Sequence, residues 1–389
     1  MPNRLLPRSA AAAVLGCAAF LLIGWSSLLV PSLIRSIESE FGQNDAGIGL
    51  FYLVNAIAYV AGSYGGGLLT ERFGWRTVLV TAALLHGGGL ILQAALPSWT
   101  VFLLAGIPRG FGSGAIDGGV NGLYLDLYPA ARGRALNFLH LFFALGALGS
   151  PLAVGFLVGA GASWQGLVLA TALLSFPLAA LLAMAWLPSG RHSAATASGP
   201  RIGLRLPLLA LAVAIGCYVA AEIGVSNWLV RFLERAPLST ATGALSLFWG
   251  GLTVGRLVSA RVADRFDHTR FATASTLVAS VALVAAVVVP ALPASIVLFG
   301  IVGFAFGPIY PVIMAIAGER FPDRSAAVSG FLAGTAVVGS VLYPPVMGFM
   351  SVTVGLPAAM FGLAVLGFAC AGALLVSGRP MPRRAGPGA

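Results

Sequence analysis

Asp117 lies in the middle of a long apolar stretch, Arg109-Gly-Phe-Gly-Ser-Gly-Ala-Ile-Asp117-Gly-Gly-Val-Asn121-Gly-Leu-Tyr124-Leu-Asp126. A carboxylate at the centre of a hydrocarbon layer costs about 2.5–3.5 kcal/mol, so a functional role is its default reading. Asp117, Asn121 and Tyr124 are spaced i, i+4, i+7 and share one helical face. Such a stripe can bind a proton, a cation or a substrate hydroxyl. The alternative is a structural Asp bonded to a neighbouring helix. Glu222 is a second mid-segment acid, suited to hold a substrate hydroxyl or to titrate, or else to act as a neutral structural group. Asn137 and His140, at i and i+3, can face the same cavity, although a lone histidine is more often a satisfied interior group. Trp25 and Tyr310 lie near mid-segment and offer a stacking face and a hydroxyl to a polar solute, as Asn227 offers an amide; packing is the competing role. No metal cluster, nucleophile–base arrangement or phosphate loop is apparent, so an enzyme is not expected, and no cofactor beyond a coupling ion is implied.

The elements that position these groups follow from composition. The chain has 389 residues, 58% of them hydrophobic and 9% charged, against about 25% charged in a soluble domain. Twelve apolar segments can be marked, near 10–31, 46–69, 77–96, 99–127, 134–159, 164–187, 207–232, 239–262, 271–290, 293–318, 325–350 and 354–377. Each can cross a hydrocarbon core of about 30 Å as a helix. The first is read as a retained helix, because no cleavage site follows it. The glycines between Gly110 and Gly119 predict close approach of neighbouring helices to the fourth segment.

The net charge is +10, and all 22 basic residues are arginine. With the N-terminus inside, seventeen arginines fall in inside segments, three (Arg35, Arg231, Arg235) in outside loops, and Arg109 and Arg256 within spans. This bias puts both termini in the cytoplasm. The charge is topology and not a nucleic-acid footprint. Cys17, Cys217 and Cys370 lie within apolar segments and imply neither metal nor disulfide.

The chain repeats. At an offset of 193, Gly110, Phe111 and Gly114 fall on Gly303, Phe304 and Gly307; Pro129 on Pro322; Pro151 on Pro344. Matched positions are expected to be scaffold, and unmatched polar positions inside spans, such as Asp117 against Tyr310, are expected to be site. The resulting organisation is a six-helix bundle over 1–187, a linker over 188–206, a second bundle over 207–377 and a disordered tail over 378–389.

Gly67-Leu-Leu-Thr-Glu71-Arg72-Phe-Gly74-Trp75-Arg76, with its weaker copy Arg261-Val-Ala-Asp264-Arg265-Phe-Asp267-His-Thr-Arg270, resembles the cytoplasmic signature of the major facilitator superfamily. Trp75 replaces a usual basic residue, and Asp267 stands where glycine is usual. The resemblance implies an all-α membrane protein of 12 transmembrane helices in two pseudo-symmetric six-helix bundles. A cytoplasmic gate is expected from Glu71, Arg72, Arg76 and Asp126 in one half and Asp264, Arg265 and Glu319 in the other, with Arg72 and Arg76 pairing to Asp126 and Arg265 and Arg270 to Glu319. Phe111 to Asn121, Leu136-Asn137-Phe-Leu-His140, Tyr218 to Trp228 and Gly307-Pro-Ile-Tyr310-Pro311 resemble the branch of fucose permeases and sodium-dependent glucose transporters. Relatives of fucose permease carry a carboxylate in the first span, and residues 10–31 have none.

The expected function is secondary active transport of a small polar solute, a sugar first of all, by alternating access coupled to H+ or Na+. Asp117 and Glu222 are the expected ion-coupling residues; Asn121, Tyr124, Asn137, His140, Trp25, Asn227 and Tyr310 are the expected substrate contacts. A proton-coupled exporter of drugs or metabolites and a non-transporting sensor or scaffold are the alternatives. The expected partners are a small-molecule substrate and the bilayer of a bacterial inner membrane, with the protein as a monomer and no nucleic acid.

Overall fold

Backbone amides inside lipid have no water to bond, and a helix satisfies them internally. The computed structural model describes residues 6–188 and 206–378. Its α-helices in chain order are α1 Leu6–Ser27, α2 Leu29–Phe41, α3 Asp45–Ala95, α4 Trp99–Leu127, α5 Arg132–Gly159, α6 Trp164–Met184, α7 Leu206–Phe232, α8 Leu238–Val262, α9 His268–Val288, α10 Leu292–Phe306, α11 Ile309–Arg320, α12 Ser325–Val354 and α13 Leu356–Ser377. Among the described residues, nine helical segments are long and apolar enough to cross a membrane. The expected linker, apart from its two end residues, and the expected tail beyond Gly378 lie outside the described residues.

One of the nine segments is α3, whose 51 residues far exceed the roughly 20 a crossing needs. The chain reverses at Gly74, where φ +77° and ψ 161° suit glycine. The reversal shows in the packing on α4. Gly110, Gly114 and Gly118 meet Asn55, Tyr59 and Ser63 in ascending order, so the first arm runs parallel to α4. Gly112 and Gly119 meet Ala82 and Leu79 in descending order, so the second arm runs antiparallel. Helices α4 and α8 have 29 and 25 residues, also of crossing length. With both arms of α3 counted, the described residues accommodate the twelve expected segments. The first is longer than expected: α1 and α2 form one broken segment ending at Phe41, because α2 buries Leu29, Leu33, Ile34 and Ile37 on one face.

The repeat recurs in backbone contacts. Added β-carbons at Gly110, Gly114 and Gly62 would collide with the carbonyls of Asn55, Tyr59 and Phe111. At Gly303, Gly307 and Gly255 they would collide with those of Phe248, Leu252 and Phe304. Every residue in the second set is its counterpart plus 193. Helix backbones therefore touch directly in both halves, as small-residue packing allows in membranes.

Within the first half, α3 packs on α4 and α6, and α1 on α5. Within the second, α7 packs on α12 and α13, α8 on α10, and α9 on α10 and α13. The halves meet where α5 lies on α8, the first arm of α3 on α12, and α2 on α7. Apolar side chains such as Val14, Phe156, Met184 and Val365 project from the perimeter, as a lipid-facing surface requires.

Candidate functional site

The glycine contacts of α4 fix the first wall of a central polar group. They bring the Tyr59 turn of α3 against Gly114, one turn before Asp117. The Tyr59 hydroxyl lies in hydrogen-bonding range of the Asp117 carboxyl. Asn121 donates to the Asp117 backbone carbonyl at 3.0 Å and to its Oδ1 at 3.1 Å. Asp117 is half-buried, not sealed.

The facing wall comes from the second half. Glu222 on α7 accepts a hydrogen bond from the Tyr218 hydroxyl one turn earlier. Arg256 on α8 places Nη2 3.7 Å from Glu222 Oε2. Its side chain is 37% exposed although neighbouring helices surround it, and its buried Nε has no acceptor. Tyr310 follows the helix break at Gly307–Pro308 and is near enough to Arg256, Asp117 and Glu222 to feel the charge of all three. One tyrosine thus connects the acid of the first half with the ion pair of the second. His140 on α5 is exposed, stands edge-on to Phe20 at 5.3 Å, and lies within the field of Arg256. Asn137 is exposed one turn before it.

Two expected residues have side chains engaged elsewhere. Tyr124 is 1% exposed, donates to the Ala13 carbonyl at 2.5 Å and meets Cys17 Sγ at 2.9 Å. Its ring fills the gap left by Gly16 on α1, apart from the central polar group. The Trp25 indole is tied to Thr171 Oγ1 at 3.0 Å, which fixes it on α6. The backbone carbonyl of Asn227 accepts from the Tyr52 hydroxyl at 3.1 Å. Arg109, buried on α4, donates to the Ser26 carbonyl at 2.6 Å. That carbonyl lies at the α1–α2 break, and a cation is favourable at a helix C-terminus.

One end of the molecule is pinned across the halves. Arg231, in the last turn of α7, reaches Glu38 at 3.0 Å and Asp45 at 2.8 Å, and also pairs with Glu234. The Ser351 hydroxyl on α12 bonds the other oxygen of Asp45. Arg35 on α2 donates to the carbonyls of Val230, Leu233 and Ala236 where α7 ends. Nearer the middle, Ser246 donates to the Leu148 carbonyl at 2.9 Å. These contacts had no local signature, because they join residues far apart in sequence.

At the opposite, arginine-rich end, the expected pairs take other partners. Arg72 lies over the Phe73 ring at 5.2 Å, and Arg76 donates to the Ala185 carbonyl at 2.9 Å. Glu319 pairs with His268 at 2.7 Å in place of Arg265 or Arg270, and Asp264 lies 3.4 Å from the same ring. Glu71 and Arg265 are exposed, and Asp126 is half-buried. His268 and its partners Glu319 and Asp264 all belong to the second half.

Arg256 and Tyr218 were not singled out from the sequence as site residues. The signal for Arg256 was present: it is a mid-segment cation whose repeat counterpart is Ser63.

A family model described as Major Facilitator Superfamily matches residues 14–285 and 206–389. An uncharacterised MFS-type transporter of Yersinia pestis is 24% identical over 349 residues, 83% of this chain and 87% of that protein. Sodium-dependent glucose transporter 1A of Mus musculus is 26% identical over 135 residues, 35% of this chain and 32% of that protein. A crystal structure of D-xylose-proton symporter superposes with a TM-score of 0.79 at 17% identity, covering 96% of this chain and 98% of that one.

Proposed function

Because the chain belongs to the major facilitator superfamily of membrane transporters, we propose that it is a secondary active carrier of a small polar solute, a sugar or sugar derivative, coupled to H+ or Na+. The carrying observation is the polar group assembled from both halves, with Asp117, Asn121 and Tyr59 facing Glu222, Arg256 and Tyr310. A solute held there contacts both bundles, so rocking of one against the other carries it between the two sides. Asp117 is the coupling group, since a carboxyl can gain or lose a proton or hold Na+ as water reaches it from either side.

The arginine-rich end lies in the cytoplasm by the positive-inside rule. The pinned end then faces outward, where Arg231, Asp45 and Ser351 hold the two halves together. Similarity to a sodium-dependent glucose transporter and the fold of a xylose-proton symporter support a sugar as cargo.

Purified protein in liposomes supplies the test. Imposed proton or sodium gradients should drive accumulation of a radiolabelled sugar or sugar derivative, and Asp117→Asn should abolish accumulation while sparing exchange. Full accumulation by Asp117→Asn would remove the coupling assignment, and no gradient-driven flux of any polar solute would remove the carrier reading.

A further inference from the structure

We propose that Arg256 anchors an anionic group on the cargo, so that the solute is a small polyhydroxylated monocarboxylic acid and not a neutral sugar. The inference rests on the central chamber being the cargo site. A guanidinium has five N–H donors in a planar fork. Glu222 engages Nη2 of Arg256 at 3.7 Å, longer than the roughly 2.7–2.9 Å of a charge-assisted hydrogen bond. Nε is itself buried and has no acceptor, while the side chain as a whole remains 37% exposed, so cargo would meet the guanidinium through its exposed part. Guanidinium and carboxylate match as a planar pair joined by two parallel hydrogen bonds.

The scaffold does not require this charge. Arg256 answers Ser63 in the repeat, and the backbone contacts beside it, at Gly255 and Gly307, are reproduced by Gly62 and Gly114 in the first half without a cation. A neutral sugar needs only hydroxyl and amide partners, which Tyr59, Asn121 and Tyr310 already offer. The 3.7 Å pair with Glu222 balances the charge without saturating the guanidinium, so its spare N–H donors are what neutral cargo leaves unexplained.

Charge also limits the cargo. One guanidinium already faces Glu222, so a monoanion suits it better than a doubly charged phosphate. An ionised Asp117 would repel the anion, so a cation on Asp117, proton or sodium, accompanies it. Anion and cation thus enter together, which ties cargo chemistry to coupling.

The test is ligand-induced thermal stabilisation and calorimetric Kd of the full-length protein in detergent, with glucose, gluconate, glucuronate, lactate and glucose 6-phosphate as probes. Gluconate or glucuronate should bind at least tenfold tighter than glucose and glucose 6-phosphate. Arg256→Gln should erase that preference, and Arg256→Lys should retain part of it. Equal acid binding by Arg256→Gln, a preference for glucose, or no stabilisation by any acid would overturn the proposal. Binding of glucose alone would do so while leaving the sugar-carrier reading intact. Lactate binding that depends on Arg256, with no sugar or sugar acid bound, would uphold the anion anchor and overturn the polyhydroxylated cargo. Should Arg256→Gln fail to fold, the comparison of acid with neutral probe on the unaltered protein decides.

Discussion

Replacing Arg231 with alanine should open the pinned end. The side chains of Glu38 and Asp45 are 12% and 6% exposed, and that of Arg231 is 26% exposed. Fully exposed pairs contribute about 0.2–1 kcal/mol, whereas stripping one partner from a buried pair costs about 3–5 kcal/mol. This cluster lies between those limits, so the loss is about 2 kcal/mol. The contact with Glu234, itself 53% exposed, adds little. Without Arg231 the buried Glu38 and Asp45 carboxyl groups lose the donor they share and favour the arrangement in which both are hydrated. A loss of about 2 kcal/mol moves a two-state equilibrium roughly 30-fold. Spin labels on Ala160→Cys and Ala291→Cys, in a background lacking Cys17, Cys217 and Cys370, report the separation of the halves at this end by pulsed electron resonance. The variant should gain a longer-distance population, and Arg231→Lys should restore only part of the short one, since a strongly hydrated ammonium on a flexible stem replaces the planar guanidinium whose Nε faces both carboxyl groups. An unchanged distance distribution in Arg231→Ala would refute the reasoning.

Other outcomes follow from the packing. Gly114→Val would drive a side chain into the Tyr59 carbonyl and cost about 1–3 kcal/mol, read as a lower melting temperature together with weaker solute binding. Gly307→Val, its repeat counterpart against Leu252, should be destabilised to a similar degree. Tyr124→Phe should lose about 1 kcal/mol of stability with its bond to the Ala13 carbonyl, yet bind solute with unchanged affinity; a tenfold weaker Kd would return Tyr124 to the chamber wall.

The fold was legible because lipid leaves few options. Long apolar runs must be helices, and Gly74 between Phe73 and Trp75 was a turn signal inside an otherwise continuous pattern. Asp117 was legible because a mid-segment charge is costly wherever it points. Tyr124 was misjudged because i, i+7 spacing fixes a shared face but not its depth, and Gly16 on another helix decided that. The end of the first segment was misjudged because Ser32, Arg35 and Glu38 are too polar for a hydropathy criterion, although α7 supplies partners for Arg35 and Glu38. The Arg231 cluster joins positions 38, 45 and 231 and, through Asp45, 351; nothing local marks such a meeting.

Direct backbone contact in both halves carries one more implication. Tyr59 and Asp117 ride on helices locked by Gly114, while Glu222 and Arg256 ride on the other block. Each wall of the chamber keeps its own internal geometry as the blocks tilt, so a solute meets the same two sets of groups whichever side is open. Under the proposed rocking, a difference in affinity between the two faces of the membrane would arise from water sharing the site and from contacts across it, such as Tyr310 with Asp117, and not from within either wall.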